Sequence, residues 1–197
     1  MEQEEEDCLL QLYLFESQPQ FFVTGCLFLP DKRQKSSPAI IYCSGHGDIA
    51  FRGEEYQLGI LNLVAHGFIV FAFDPIGQGE RLQYADPQTN KTLVGPTTME
   101  HTYMGSQCIL SGHSLIDYFI WDGVRIVDYL LNRKEVDPAR IGITGMSGGG
   151  TQTSMIAAYD ERIYASVPEC YITNFTRLFE SIGPQDAEQS PYNSIKN

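Results

Sequence analysis

Positively charged side chains are scarce in this sequence. Its 197 residues carry 13 Lys and Arg against 25 Asp and Glu, a formal net charge of −12. Nucleic acids and anionic membrane surfaces would repel such a chain, so neither is expected as a partner. Part of the acidic excess lies in residues 1–7, which we interpret as a solvated tail rather than a partner-binding segment.

The sequence also lacks an apolar run of membrane-spanning length and an export signal. Its first residues are acidic, whereas a signal peptide begins with a basic segment followed by an apolar one. No membrane partner is therefore expected. The compartment stays unknown, because a secreted or periplasmic parent protein is still compatible with this chain.

Closely spaced cysteine pairs are absent as well. The five cysteines are odd in number and scattered without a C-x-x-C pair: Cys8, Cys26, Cys43, Cys108 and Cys170. Neither a zinc site nor a disulfide framework is indicated, and free, mostly buried thiols are expected. No metal and no cofactor is predicted.

No internal repeat, low-complexity tract or linker interrupts the chain, so residues 1–197 are predicted to form a single domain. Apolar runs predict strands at residues 21–29, 39–43, 68–73, 141–144 and 164–168, the first of them antiparallel and the last four buried. Helical spacing follows at residues 58–65, 114–132 and 151–159. This alternation predicts a three-layer α/β/α sandwich with a mostly parallel sheet.

A long segment without clear periodicity, residues 77–113, separates the second and third of the buried strands. Loops of this length in a compact domain are more often functional or partly structured. In a parallel sheet this one would leave the carboxyl edge, where ligands bind. We therefore expect an excursion beside the active site.

The segment Gly145-Met146-Ser147-Gly148-Gly149 carries the clearest chemical signal. It lies between a predicted strand and a helix, the context of a G-x-S-x-G nucleophile turn. Such a turn strains the serine backbone and needs glycine at 145 and 149, where a Cβ would clash. Ser147 is therefore the candidate nucleophile. A phosphate-binding loop is the alternative, but Thr-Gln-Thr follows where that loop needs Lys-Ser/Thr.

The loop Ser44-Gly-His-Gly-Asp48 follows an earlier strand and suggests the second half of an oxyanion site. Acyl transfer needs preorganised N–H donors for the tetrahedral oxyanion. Aligning the strand ends predicts the backbone amides of His46 and Gly148 as those donors. The His46 ring would then lie on the oxyanion side of the serine, so its amide is favoured over its imidazole. An ordinary glycine turn with a surface histidine is the alternative.

A third polar segment, Asp74-Pro-Ile-Gly-Gln-Gly-Glu-Arg81, follows the second buried strand. Asp74 is predicted to cap this turn. Gln78 and Arg81 are candidate substrate-binding residues, although Arg81 could equally pair with Glu80 or another carboxylate.

No histidine follows Ser147 in this sequence. His66 precedes a helix-ending glycine, which suggests a structural role. His101 and His113 lie in or beside the long excursion, and neither matches the expected position of a catalytic base. None of the downstream acids stands where a catalytic acid is expected: Asp160, Glu161, Glu169, Glu180, Asp186 and Glu188.

Together these three segments, with the run 136–145, resemble the α/β-hydrolase superfamily, in particular its acetyl xylan esterase-like and prolyl oligopeptidase-like branches. The run Glu100-His-Thr-Tyr-Met-Gly105 also looks like bacterial esterase-like members. The resemblance implies a serine esterase that acts through an acyl-enzyme, often on acetylated or otherwise esterified carbohydrate. It implies a small-molecule or carbohydrate ester as the substrate.

The sequence departs from this family where the acid and the histidine should follow the serine. We therefore expect the chain to be the N-terminal part of a longer hydrolase, lacking the last strands and weakly active or inactive by itself. Its incomplete sheet would leave an open edge and exposed apolar surface. A serine peptidase with the same machinery and a non-catalytic hydrolase-fold binding protein are the alternatives.

Overall fold

The computed structural model describes residues 8–31, 35–180 and 185–191. Six strands form one sheet in the order β1-β2-β4-β3-β5-β6. The strands are β1 (Cys8–Gln18), β2 (Phe21–Pro30), β3 (Ser37–Cys43), β4 (Ile69–Phe73), β5 (Val136–Met146) and β6 (Ala165–Glu169). β2 pairs antiparallel with β1 and with β4, and the remaining pairs are parallel.

Helices cover both faces of the sheet. They are α1 (Glu54–Ala65), α2 (Thr98–Leu110), α3 (Leu115–Leu131), α4 (Gly148–Tyr159) and α5 (Phe175–Glu180), with short 3₁₀ turns at Ala50–Arg52 and Ala187–Gln189. Successive strand residues face opposite sides, so Ile41 packs in the cluster that contains α3 and α4 residues, and Tyr42 packs in the cluster that contains α1 residues. The predicted three-layer α/β/α architecture is confirmed.

The order of predicted elements is also confirmed, with three differences. β1 was not predicted: it is an edge strand whose apolar side chains, such as Leu12, are largely exposed. The long excursion contains α2, which brings Glu100 and His101 into the interior. Residues 164–168 do form a strand, but β6 is exposed rather than buried because it lies at the edge of the described sheet.

The β6 edge exposes apolar side chains, as was expected of an open sheet edge. Tyr164 is 75% exposed, Val167 59% and Ile172 72%. Elsewhere in the described chain, none of the helices has both the length and the apolar composition needed to cross a bilayer. Residues 1–7, predicted to be an acidic tail, lie outside the described residues.

The sheet register brings the three polar segments together. Cys43 at the end of β3 pairs with Phe73 of β4 on one side and with Gly145 of β5 on the other. The loops that leave these three strands therefore start at the same edge of the sheet, where ligands bind in open α/β folds.

Candidate active site

Ser147 occupies a strained position between β5 and α4. Its backbone has φ 58° and ψ −118°, a region that non-glycine residues seldom adopt. Its amide donates to the carbonyl of Glu169 at 2.9 Å, and its side chain is exposed to solvent. The turn therefore presents the hydroxyl at the amino end of α4, where the helix dipole favours developing negative charge.

The glycines around Ser147 are required by close backbone approach. A Cβ at Gly145 would lie 2.2 Å from the Cys43 carbonyl oxygen, and one at Gly149 would lie 2.0 Å from the same oxygen. Neither distance is compatible with a side chain, so the predicted need for glycine at both positions is confirmed.

The loop after β3 packs directly against this turn. A Cβ at Gly45 would lie 2.5 Å from the Met146 carbonyl oxygen and 3.4 Å from the Ser147 Cβ. The His46 ring comes within 2.9 Å of the position that a Cβ would take at Gly148. Among the described residues, neither the His46 amide nor the Gly148 amide donates to a protein acceptor. His46 and Gly148, the two residues predicted to supply oxyanion donors, thus line one pocket with Ser147.

A pocket of about 230 Å³ opens at Ser147. Its lining residues come from the two loops and from the chain after β6: His46, Ser147, Gly148, Cys170, Tyr171, Thr173, Arg177, Leu178 and Gln189. The residues after Gly148 in this set were not predicted, because no local motif marks a loop that follows a strand as substrate-facing.

Asp74 caps its turn, as predicted. Its buried carboxylate accepts hydrogen bonds from the Thr24 hydroxyl at 2.6 Å, the Arg52 guanidinium at 2.6 Å and the Glu80 amide at 3.3 Å. Gly79 has φ 57°, and a Cβ there would lie 2.3 Å from the Asp74 carboxylate. The turn is thereby held closed around a fully bonded acid.

Gln78 is hydrogen-bonded to the loop after β3, which contains His46. Its side chain is almost fully buried, and its Oε1 accepts a hydrogen bond from the Gly47 amide at 2.7 Å. The residue predicted to contact substrate is therefore placed to position the loop that contains His46.

Arg81 is placed differently from its predicted role as a substrate-binding residue. Its side chain is only 2% exposed, and its guanidinium donates to the Asp74 carbonyl at 3.0 Å and to the Asp122 carboxylate at 2.8 Å. Glu80, the alternative partner, pairs with Arg52 instead. Burial raises the pKa of Asp122 despite the opposing effect of Arg81.

Four ionisable side chains converge beside Gly148. The His46 Nε2 lies 3.2 Å from the Asp186 Oδ2 and 3.4 Å from the Glu188 Oε1. The His101 Nδ1 lies 2.9 Å from the Asp186 Oδ2, and its Nε2 donates to the Ile76 carbonyl at 2.7 Å. Glu188 and His101 are fully buried. Sequence reasoning missed this cluster because its members lie on three separate segments without a recognisable spacing.

The two histidines are more basic than a free imidazole. Burial lowers the pKa of His46, but the carboxylates of Asp186 and Glu188 outweigh burial and raise it to about 10. Burial also lowers the pKa of His101, and Asp186 reverses that effect so that the pKa is raised. Burial raises the pKa of Asp186, yet the two histidines hold it well below its usual range.

The remaining histidines do not reach the serine. Both ring nitrogens of His101 are engaged inside the protein, and His113 lines a separate surface pocket with Ser17 and Trp121. His66 ends α1, and its Nδ1 lies 2.8 Å from the Asn62 carbonyl oxygen. Of the four histidines in the sequence, His46 alone shares the Ser147 pocket.

Comparison with known proteins agrees with this geometry. The family model for acetyl xylan esterase (AXE1) matches residues 7–197. The chain belongs to the acetyl xylan esterase family. The resemblance drawn from its motifs is thereby confirmed.

Individual relatives are more distant. The candidate hydrolase YtaP of Bacillus subtilis (strain 168) is 29% identical over 175 residues, which cover 84% of this chain and 52% of YtaP. The chain therefore spans about half the length of this relative. Methylesterase BT1017 matches with a TM-score of 0.61 and 27% identity, over 83% of this chain and 32% of that structure.

Two further solved structures support the fold. A candidate acetyl xylan esterase from Bacteroides fragilis NCTC 9343 has a TM-score of 0.70 at 22% identity, over 82% of this chain and 44% of its own. The acetyl xylan esterase from Paenibacillus sp. R4 has a TM-score of 0.52 at 22% identity, over 88% of this chain and 57% of its own. The fold of this family member is the α/β-hydrolase fold, as predicted.

Proposed function

We propose that this member of the acetyl xylan esterase family forms the nucleophile half of a serine carboxylic-ester hydrolase. Ser147 is the proposed nucleophile, and the backbone amides of His46 and Gly148 are the proposed oxyanion donors. The proposal concerns the activity of the whole protein. The given chain covers about half the length of its relative YtaP.

One observation carries the proposal. Ser147 is held at φ 58° on a turn whose flanking glycines both press against the Cys43 carbonyl. Backbone strain of this kind costs about 1–3 kcal/mol and persists where the surrounding structure enforces it, commonly at active sites. At Ser147 this strain coincides with an exposed residue at the amino end of α4, which is the arrangement that a nucleophile requires.

The chemistry follows from the geometry. The Ser147 Oγ would attack the ester carbonyl carbon and lose its proton to a general base, which gives a tetrahedral oxyanion held by the two amides. Collapse would break the bond to the alcohol oxygen, which takes up the proton and leaves as the free alcohol. Water would then cleave the acyl-serine to release the carboxylic acid and restore the hydroxyl.

The base is proposed to come from outside the given residues. His101 is bonded on both nitrogens and His113 lies elsewhere, while the Nε2 of His46 faces two carboxylates rather than the serine. The 197-residue chain alone is therefore expected to hydrolyse esters weakly or not at all, because an unassisted serine hydroxyl is a poor nucleophile.

The substrate class is proposed to be a short-chain ester of a carbohydrate, with acetyl as the acyl group. The Ser147 pocket, at about 230 Å³, is smaller than the pockets that enclose drug-sized ligands and suits a short acyl group. The description of the matching family, acetyl xylan esterase, supports this class.

Initial rates of the full-length protein on p-nitrophenyl acetate and acetylated xylo-oligosaccharides test the proposal. We expect Ser147→Ala to lower kcat by about 10³-fold or more. Ser106→Ala, an exposed serine on α2, is the matched control and should keep the full rate. Faster cleavage of short peptide amides than of acetyl esters would overturn the ester assignment, and undiminished turnover by Ser147→Ala would overturn the nucleophile.

A further inference from the structure

We propose that His46, His101, Asp186 and Glu188 form a binding site for one divalent transition-metal ion, with Zn²⁺ as the best match. The site is distinct from the serine chemistry, and its role is to clamp the segment 185–191 and α2 against the oxyanion loop. Each residue offers one ligand atom, and these four atoms lie within 4.8 Å of one another.

The separations between ligand atoms fit a common central ion. Zn²⁺ binds histidine nitrogen and carboxylate oxygen at about 2.0–2.1 Å in a tetrahedron, whose ligands are then about 3.3 Å apart. The His46 Nε2 lies 3.2 Å from the Asp186 Oδ2 and 3.4 Å from the Glu188 Oε1. The His101 Nδ1 lies 2.9 Å from the Asp186 Oδ2. These three separations are therefore close to the edge length of such a tetrahedron.

Glu188 provides an independent indication of a missing partner. Its side chain is fully buried, and among the described residues neither carboxylate oxygen accepts a hydrogen bond. The His46 Nε2 is likewise buried without a hydrogen bond, although two carboxylates lie within 3.4 Å. Buried carboxylates without a partner are strongly disfavoured. The Glu188 carboxylate and the His46 Nε2 therefore remain available as ligands for a shared ion beside the bonded pair His101 and Asp186.

His101 has the hydrogen-bond pattern of a metal ligand. Its Nε2 faces the Ile76 carbonyl oxygen at 2.7 Å, and because a carbonyl can only accept, this nitrogen carries the proton. Metal-binding histidines commonly donate their second N–H in this way, which leaves the other nitrogen free to ligate. The His101 Nδ1 is the nitrogen that faces Asp186.

The ligand set and its charge favour Zn²⁺. Two neutral imidazoles and two carboxylates carry a charge of about −2, which one divalent cation balances. Imidazole and carboxylate together suit zinc, whereas calcium and magnesium prefer oxygen alone. Four protein ligands close the coordination shell, so the site is structural rather than catalytic.

The location gives the ion a consequence for the oxyanion loop. The Glu188 Oε1 and the His46 ring both lie within 3.0 Å of the position that a Cβ would take at Gly148. An ion bound by Glu188 and His46 would therefore fix the His46 side chain, and with it the backbone of the proposed oxyanion donor.

Calorimetric titration of the chelator-treated, metal-free protein with ZnSO₄ tests the site. We expect saturable binding of one Zn²⁺ per chain and a rise in Tm on binding. Glu188→Gln and His101→Gln should each weaken Zn²⁺ binding by about 100-fold or more. His113→Gln and Glu161→Gln, which lie outside the cluster, should bind Zn²⁺ as tightly as the unsubstituted chain. Absence of a one-to-one complex, or equal affinity in Glu188→Gln, would overturn the site.

Co²⁺ substitution tells the cluster apart from a thiolate site at Cys170, which lines the neighbouring pocket. We expect intense visible absorption typical of tetrahedral Co²⁺, without a thiolate charge-transfer band, and an unchanged spectrum in Cys170→Ser. A thiolate band that disappears in Cys170→Ser would overturn the assignment.

The Tm of metal-free Glu188→Gln serves as the folding control. It should equal or exceed the Tm of the unsubstituted metal-free chain, because the substitution removes a buried carboxylate without a hydrogen-bond partner. A folded Glu188→Gln chain is required for its lost binding to count.

Discussion

Two turns leave neighbouring strands at the same sheet edge, and they differ in how their polar groups are satisfied. The turn after β4 surrounds Asp74, whose buried carboxylate has three hydrogen-bond donors. The turn after β5 presents Ser147 to solvent on a strained backbone, and its hydroxyl does not cap α4. The Asp74 carboxylate is thus buried and hydrogen-bonded within the protein, whereas Ser147 is accessible from solvent.

This difference distinguishes residues that position the loops from the residue that we propose to react with substrate. Both turns are rich in glycine, and both follow a buried strand, so composition alone cannot tell them apart. Burial and hydrogen bonds to neighbouring loops mark Asp74, Gln78 and Arg81 as residues that hold the loops in place. Exposure combined with a strained backbone fits the nucleophile role that we propose for Ser147.

The largest effect is expected from Gly149→Ala. The added Cβ would lie 2.0 Å from the Cys43 carbonyl oxygen, so the backbone of β3 or of the turn must shift. We expect a loss of about 3–4 kcal/mol in the free energy of unfolding, measured by urea denaturation. Gly47→Ala is the control: its Cβ would meet nothing closer than 3.8 Å, and its stability should change by less than about 0.5 kcal/mol. Equal losses in the two variants would show that the close approach is not the cause.

Asp74→Ala should break the other turn. It removes the common acceptor of Thr24, Arg52 and the Glu80 amide, and leaves these partly buried donors without that acceptor. We expect thermal and urea unfolding to report a loss of about 2–3 kcal/mol. Glu161→Ala, an exposed acid, should change stability by less than about 0.5 kcal/mol. Unchanged stability in Asp74→Ala would contradict the assignment of this turn to support.

Gln78→Met tests the connection between the turns. The substitution keeps the side-chain volume but removes the acceptor of the Gly47 amide, which should cost about 1–2 kcal/mol of stability. In the full-length protein we expect kcat for ester hydrolysis to fall by about 10-fold with little change in KM, because a loosened oxyanion loop affects the transition state more than substrate binding. Gln78→Glu, which retains an acceptor oxygen, should recover part of kcat. A change confined to KM would indicate direct substrate contact instead.

Ser147→Gly is expected to give the smallest effect, and a gain. Glycine adopts positive φ without strain, so relief of the serine backbone should stabilise the chain by about 1 kcal/mol. The same substitution at Ser166, in the extended strand β6, should instead destabilise by about 0.5–1 kcal/mol. Destabilisation by Ser147→Gly would contradict the claim that the turn is strained.

The sequence predicted the parts of the site that depend on adjacent residues. The strand, the Gly-x-Ser-x-Gly turn and the helix are contiguous, so Ser147 and its glycines could be recognised locally. The His46 loop could be placed because β3 and β5 are parallel and end together. The partners of its ring could not be predicted, because the carboxylates of Asp186 and Glu188 lie far away in the chain.

Other differences between prediction and structure depend on contacts that the local sequence does not specify. The apolar run 164–168 predicts a strand, but whether its faces are covered depends on neighbouring strands that the run itself does not specify. β1 was not predicted although residues 8–15 are rich in apolar side chains, most of which lie exposed on this edge strand. Arg81 was predicted to contact substrate, but it pairs with Asp122 in the interior. This partner lies on α3, far away in the sequence, so no local pattern indicates the pair.

The identity of the nucleophile is the central claim, and active-site labelling tests it most directly. The full-length protein would be treated with a fluorophosphonate, digested, and mapped by mass spectrometry. The account predicts one adduct per chain, on the peptide that carries Ser147, and none in Ser147→Ala. An esterase-active protein whose adduct lies on another residue, or that forms no adduct while it hydrolyses acetyl esters, would contradict the account.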